Sequence, residues 1–113
     1  RSDGDGSQTR DMIFVEDVVE ANILAANSPR TFSGEPLNIA TGERYSNSEI
    51  LERFQEQFGS LEVVNAPRRS GDVMHTQADT RRAAEVIGST ASTSLDEGLR
   101  KTWDWWHTLE VGE

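Results

Sequence analysis

A basic cluster, Arg68-Arg69-Ser70-Gly71-Asp72, follows Pro67 in a chain that is otherwise strongly acidic. Two guanidiniums beside a glycine make a loop that can take an anion through paired hydrogen bonds, and Asp72 can accept from sugar hydroxyls. The plainer reading is a solvated turn holding an Arg–Asp pair, which contributes little. The loop by itself leaves both open. Arg10, between a glycine-rich stretch and the apolar run 12–15, offers the same choice. It is a phosphate clamp or a surface arginine paired with Asp11 or Asp17, and taken alone the surface pairing is the simpler.

Other chemistry-bearing residues carry less. Asp3-Gly4-Asp5-Gly6 resembles the start of a calcium loop, but Gln8 stands where a glycine is needed and the distal glutamate is missing. Gly4 and Gly6 mimic a dinucleotide fingerprint without its preceding strand or its third glycine. His75 and His107 have no ligand-spaced partner; they read as a strand residue and a helix-end residue, the latter suited to the helix dipole. Ser94 reads as a helix cap rather than a nucleophile. Trp103, Trp105 and Trp106 read as packing residues, with Trp105 turned outward.

The elements that must position these residues follow from apolar spacing and turn chemistry. Residues 1–9 read as a loop. A helix is predicted over 16–27, with Val18, Ala21 and Ala25 beside Val19 and Ile23 on its inner face, acidic residues in its first turn, and Ser28-Pro29 as its end. A strand is predicted over 36–40 and the turn Thr41-Gly42 after it. Ser46-Asn47-Ser48-Glu49 is a capping box, followed by the stripe Ile50, Leu51, Phe54, Phe58 and the stop Gly59. A second strand is predicted over 61–64 and a polar loop over 67–72. Asp79 is expected to cap a helix ending at Ile87-Gly88. A second capping box, Ser94-Leu95-Asp96-Glu97, opens a last helix that buries Leu95, Leu99, Thr102, Trp103 and Trp106. Residues 109–113 are expected to fray. Alternating helices and short strands give an α/β or α+β class in one unit of 113 residues.

Composition narrows the partners. A net charge of −9 argues against nucleic acid and anionic membrane. No apolar run is long enough to span a bilayer. The chain has no cysteine, which removes disulfides, thiolate metal sites and a thiol nucleophile. Apolar residues at 35% allow a modest core only. The opening at Arg1, inside a polar loop, suggests a piece of a longer protein.

Taken in order, the weak signals become specific. Gly4-Asp5-Gly6-Ser7-Gln8-Thr9-Arg10-Asp11, then Val15-Glu16-Asp17-Val18, resembles the stretch that extended short-chain dehydrogenase/reductases carry after their catalytic core. Asn38-Ile39-Ala40-Thr41-Gly42 resembles their Asn-x-x-Thr-Gly strand and turn, and Arg69-Ser70-Gly71-Asp72 their Arg-x-Gly-Asp loop. Ala78-Asp79, a helix, and Ile87-Gly88 match the next block. The resemblance covers almost the whole chain and is strongest to NAD-dependent epimerase/dehydratases of the UDP-glucose 4-epimerase type.

That resemblance implies the small carboxy-terminal, substrate-binding portion of a Rossmann-type enzyme. It implies that Arg10 and Arg69 bind the diphosphate of a UDP-sugar, that Asp72 binds the ribose, and that Asp17 and Asn38 are structural. In the whole enzymes it implies transient oxidation of the sugar at C4 by bound NAD, with the amino-terminal domain holding the cofactor. This chain departs from the family pattern in two ways. Ser89-Thr90-Ala91 replaces an aromatic and a proline after Leu-Gly, which the chain carries as Ile87-Gly88. The NAD fingerprint and the Tyr-x-x-x-Lys pair are absent from the sequence, since Tyr45 is followed four residues on by Glu49. The chain is therefore expected to bind no cofactor and to catalyse nothing alone, with cytoplasmic location following from the family. Two further expectations stay open: a stand-alone, non-catalytic nucleotide or nucleotide-sugar binding domain, and a fragment that self-associates through edges the missing cofactor domain would cover.

Overall fold

The structure is a computed structural model that describes residues 1–110, excluding the side chain of Glu110. Four helices carry the architecture: α1 (Val15–Asn27), α2 (Asn47–Phe58), α3 (Arg81–Ile87) and α4 (Leu95–Glu110). Four two-residue strands lie between them: β1 (Ser2–Asp3), β2 (Thr9–Arg10), β3 (Tyr45–Ser46) and β4 (Asn65–Ala66). β1 runs parallel to β4, with Ser2 opposite Asn65; β2 runs antiparallel to β3, with Arg10 opposite Tyr45. The stretch predicted as a plain loop over 1–9 thus contains β1 and the first residue of β2. Its backbone groups need partners, and neighbouring segments supply them on both sides.

On one side the N–H groups of Ser2 and Gly4 donate to the carbonyls of Val64 and Ala66, both at 2.7 Å. Farther along, Thr9 donates to Met74 (2.7 Å) and accepts from Thr76 (3.1 Å), a parallel bridge around His75. On the other side the carbonyls of Gly6 and Gln8 accept from Ser48 (3.0 Å) and Asn47 (3.1 Å) at the start of α2. The first ten residues are therefore clamped between α2 and the two flanks of the basic loop.

The helices end where local chemistry says they should. Ser46 and Glu49 complete the capping box at α2 in both directions. Ser94 accepts the N–H of Glu97 at 3.2 Å at the start of α4. Gly88 closes α3 in the left-handed region (φ 69°), where a side chain would be strained. At the start of α3 the cap position falls on Thr80 rather than Asp79; Asp79 sits one residue earlier and accepts the Arg81 N–H at 3.1 Å. Helix α1 begins at Val15, one residue ahead of expectation.

Two predicted strands are displaced. Residues 61–64 carry no ladder, and the strand forms at Asn65–Ala66, where β1 pairs with it. Residues 36–40 form no strand. A strand exists only beside a hydrogen-bonding neighbour, and among the described residues none lies along this segment. Leu37 and Ile39 nevertheless turn toward α1 and α3, lining a cavity of about 210 Å³ with Ala21, Ala25 and Ile87.

The core is small. Ala21 of α1 and Ala83 of α3 are each 2% exposed, and no large side chain among the described residues is fully buried. Helices α2 and α4 meet through aromatic rings: Phe58 stacks on Trp103 at 4.4 Å, and Phe54 meets Trp103 edge-on at 5.4 Å. Val18, Ala21 and Ala25 face inward as expected, whereas Val19 and Ile23 are exposed, because Asp17 and Ala21 define the buried line of α1. On α4, Leu95, Leu99 and Trp103 are half-buried with buried Gly98, while Thr102 and Trp106 are exposed. Trp105 is exposed as read from its position. Helix α4 continues to Glu110, and residues 111–113 of the expected tail lie outside the described residues.

Candidate functional site

The clamping of the first ten residues brings Arg10, Arg69 and Asp72 to one polar cavity of about 230 Å³. Arg10 enters from β2. Its Nη1 donates to the carbonyls of Thr9 (2.7 Å) and Met74 (3.3 Å), and its Nη2 donates to Asp72 Oδ1 at 2.7 Å. The arginine is thus held at three points, and Asp72, rather than Asp11 or Asp17, is its acidic partner. Both members of the pair are about one-quarter exposed, so water screens the interaction only in part.

Arg69 and Asp72 come from the tip of the basic loop. The Asp72 N–H donates to the Arg69 carbonyl (3.3 Å), and Arg68 Nη2 donates to the Asp72 carbonyl (2.7 Å), closing the turn that presents them. Arg69 reaches across to Asp3, its Nε 2.7 Å from Oδ2. Arg1 takes the other oxygen of Asp3 at 2.7 Å. The hydrogen bond from Arg1 is the largest influence on the Asp3 carboxyl; burial opposes it, and with the further bond from Arg69 the group is held below its ordinary value. Gln8, 6% exposed, donates to the Asp3 carbonyl at 2.7 Å. Asn47, the first residue of α2, completes the lining. Three guanidiniums face two carboxylates, which leaves this cavity one positive charge in excess on a chain of net −9.

Sequence reasoning singled out Arg10, Arg69 and Asp72 but not Arg1, Asp3, Gln8 or Asn47 as parts of one place. In the sequence Asp3 carries only the signal of a calcium-like motif, and among the described residues no group of acids and histidines could hold a metal ion. A buried glutamine in a glycine-rich stretch has no periodic signal; its role follows from the fold alone.

The two remaining named residues sit away from the cavity. Asp17, 5% exposed, accepts from the Ser92 hydroxyl (3.0 Å) and the Thr93 N–H (3.1 Å), tying the start of α1 to the segment before α4. Burial would raise its carboxyl, but these hydrogen bonds outweigh it and hold the group below its ordinary value. Asn38 is exposed, and its amide donates to the Asp79 carbonyl at 3.3 Å. The Tyr45 hydroxyl donates to Glu43 at 2.9 Å, a bond that raises its pKa and disfavours the phenolate. His75 shares a 2.8 Å hydrogen bond with Thr9, and His107 packs edge-on against Trp103 at 4.6 Å. No described helix is long and apolar enough to cross a membrane.

Known proteins share this fold over part of their length. The UDP-glucose 4-epimerase of Thermotoga maritima, solved with UDP-glucose, superposes on 96% of this chain with a TM-score of 0.85 and 33% identity, the match covering 35% of that chain. The fold is therefore the α/β fold of the Rossmann-type extended short-chain dehydrogenase/reductases, over part of their length. The profile of the NAD dependent epimerase/dehydratase family matches residues 3–40. The putative UDP-glucose 4-epimerase of Methanocaldococcus jannaschii is 33% identical over 103 residues, which is 90% of this chain and 32% of that protein. The UDP-glucose 4-epimerase of Mycolicibacterium smegmatis is 36% identical over 100 residues, 88% of this chain and 31% of that one. Over the residues it spans, the chain is similar to members of the NAD dependent epimerase/dehydratase family. It spans about a third of the length of the relatives it matches.

Proposed function

We propose that this chain is the nucleotide-sugar binding part of an NAD-dependent sugar-nucleotide 4-epimerase, with a UDP-hexose as its ligand. The observation that carries the reading is the convergence of Arg10, Arg69 and Asp72 on one polar, net-positive cavity. A diphosphate offers several acceptor oxygens, which suits two guanidiniums arriving from different segments. Asp72 already orients Arg10, and its carboxylate retains lone pairs for ribose hydroxyls. Asp17 and Asn38 act at a distance, Asp17 by tying the start of α1 to the segment before α4 and Asn38 by tying its own segment to Asp79.

NAD belongs to the part of the relatives that this chain does not span, and that part is the partner this reading requires. The glycines of the first turn do not fit a dinucleotide. Gly6 lies against Ser48, whose N–H and hydroxyl both donate to its carbonyl, and Gly4 lies against Arg68. Both glycines serve contacts within the chain. Its own residues bind and orient; catalytic turnover is expected only with the cofactor domain present.

Calorimetric titration with UDP tests the reading. The wild type is expected to bind, and Arg69→Ala to lose about tenfold or more, the scale of a charge-assisted hydrogen bond. Binding should weaken with added salt. UDP affinity that is indifferent to Arg69→Ala would overturn the assignment.

A second reading is favoured by a different observation. Val15, Val19 and Ile23, at 64%, 51% and 55% exposure, form an uncovered apolar ridge along α1, and Trp105 is 56% exposed on α4. An exposed apolar surface of this kind drives association. In isolation the chain pairs with a second copy through this face, and Trp105→Lys is expected to return it to a monomer by light scattering. A wild type that is monomeric at high concentration would remove this reading.

A further inference from the structure

We propose that Asp3 is a built-in counter-anion for Arg69, which occupies that guanidinium until a diphosphate takes its place. The inference rests on the reading of this cavity as a diphosphate site and adds a residue that controls it.

The two partners differ in freedom. Asp3 is fixed: the N–H groups on either side of it, from Ser2 and Gly4, are bonded to Val64 and Ala66, and Gln8 holds its carbonyl. Its side chain is 14% exposed. Arg69 is a long side chain on a loop tip, 73% exposed, joined to Asp3 through its Nε. When an anion arrives, it is Arg69 that moves. Asp3 is not left bare by that exchange, because Arg1 Nε stays on Oδ1 at 2.7 Å. The carboxylate therefore has a second counter-charge ready, and releasing Arg69 does not leave an unpaired charge in a shielded place.

Arg10 is built the other way. Two backbone carbonyls and Asp72 fix it in one position. The cavity thus pairs a rigid guanidinium with an exchangeable one. An anion must offer enough charge to outcompete Asp3 for Arg69 while also meeting Arg10. A diphosphate does so; a singly charged anion has less to offer. Asp3, once released, remains beside the site and repels what has displaced it, so it lowers affinity and raises selectivity for charge. The carboxyl, whose ordinary value of 3.8 the bond from Arg1 lowers further, is ionised at neutral pH, so this holds under ordinary conditions.

The test uses inorganic pyrophosphate and UDP as probes on the wild type, Asp3→Asn and Asp3→Glu, read by calorimetry and by the NMR signal of the Arg69 Nε–H. Asp3→Asn keeps the shape and removes the charge. It is expected to shift the Arg69 signal and to tighten pyrophosphate about fivefold, the scale of an exposed ion pair. Asp3→Glu keeps the charge and should stay within about twofold of the wild type. An unmoved Arg69 signal in Asp3→Asn overturns the inference, as does pyrophosphate binding that is absent, unchanged or weakened. Tightening by Asp3→Glu to the level of Asp3→Asn also overturns it, since charge would then not be the cause. Pyrophosphate behaving as expected while UDP binds neither protein leaves the inference standing and removes the nucleotide reading.

Discussion

The carboxylate of Asp11 closes the turn at Thr41 thirty residues away. Its Oδ1 accepts the Thr41 hydroxyl at 2.6 Å and the Thr41 N–H at 2.9 Å, and its Oδ2 accepts the Gly42 N–H at 2.9 Å. The residue next to Arg10 thereby welds β2 to the Thr41-Gly42 turn, and the direction of Arg10 depends on that weld.

Asp11→Ala is expected to destabilise the fold by about 1–3 kcal/mol, because partly buried N–H and hydroxyl groups lose a charged acceptor. Urea denaturation at neutral pH measures this. Loss of less than about 0.5 kcal/mol would show that water replaces the carboxylate freely. Asp11→Asn should fall between the alanine variant and the wild type, since the amide oxygen still accepts.

Acid should weaken the fold through the same carboxylate and through Asp17. Burial works to raise both groups, but hydrogen bonds from Thr41, Gly42 and Ala78 to Asp11, and from Thr93 and Ser92 to Asp17, hold both below the ordinary 3.8. A depressed folded pKa means that the unfolded chain takes up protons first. The stabilisation is therefore complete above the unfolded value and is lost as pH falls below 3.8 through the folded values. Thermal denaturation from pH 7 down to pH 2.5 should show this fall, and the fall should be shallower in Asp17→Asn. Equal slopes for the two proteins would remove Asp17 from the account.

Trp103→Ala should separate α2 from α4. Its ring stacks on Phe58, meets Phe54 edge-on and supports His107. The ring is half-buried, so the expected loss is about 2–3 kcal/mol, below the range for fully buried aromatics. Trp105→Ala, on the exposed face, should change stability by less than about 0.5 kcal/mol. Comparable losses at the two positions would contradict the packing described.

Gly6→Ala should also destabilise. The residue has φ +83°, and an added methyl would run into the Ser48 hydroxyl that donates to the Gly6 carbonyl. Left-handed strain alone is about 1 kcal/mol, and turning Ser48 away adds the lost hydrogen bond. Because Gly6 ties the first turn to α2, the same variant should weaken UDP binding. A variant as stable as the wild type would mean that the turn adapts without strain.

Local sequence settled what is local in energy. The capping box at Ser46, the left-handed stop at Gly88 and the stripe Ile50, Leu51, Phe54, Phe58 are written in residues a few positions apart, where backbone groups and side chains meet within one or two turns. The turn that carries Arg69 and Asp72 was legible for the same reason, although the sequence left an anion site and a solvated Arg–Asp turn equally open there. Tertiary structure decided what depends on distant partners. Residues 36–40 have the pattern of a strand but, among the described residues, no neighbour to pair with; Val19 and Ile23 are apolar but lie off the line that Asp17 and Ala21 bury. Most of all, the partners of the arginines were decided by the fold. Arg10 has acids one and seven residues away yet pairs with Asp72, sixty-two residues on, because β2 lies antiparallel to β3 and runs beside Met74, while Asp11 and Asp17 accept from the backbone N–H groups of Thr41, Gly42 and Thr93. Ion pairs are weak and non-directional along the chain, so the backbone's stronger demand for partners fixes the geometry first, and the charges pair with whatever it brings within reach.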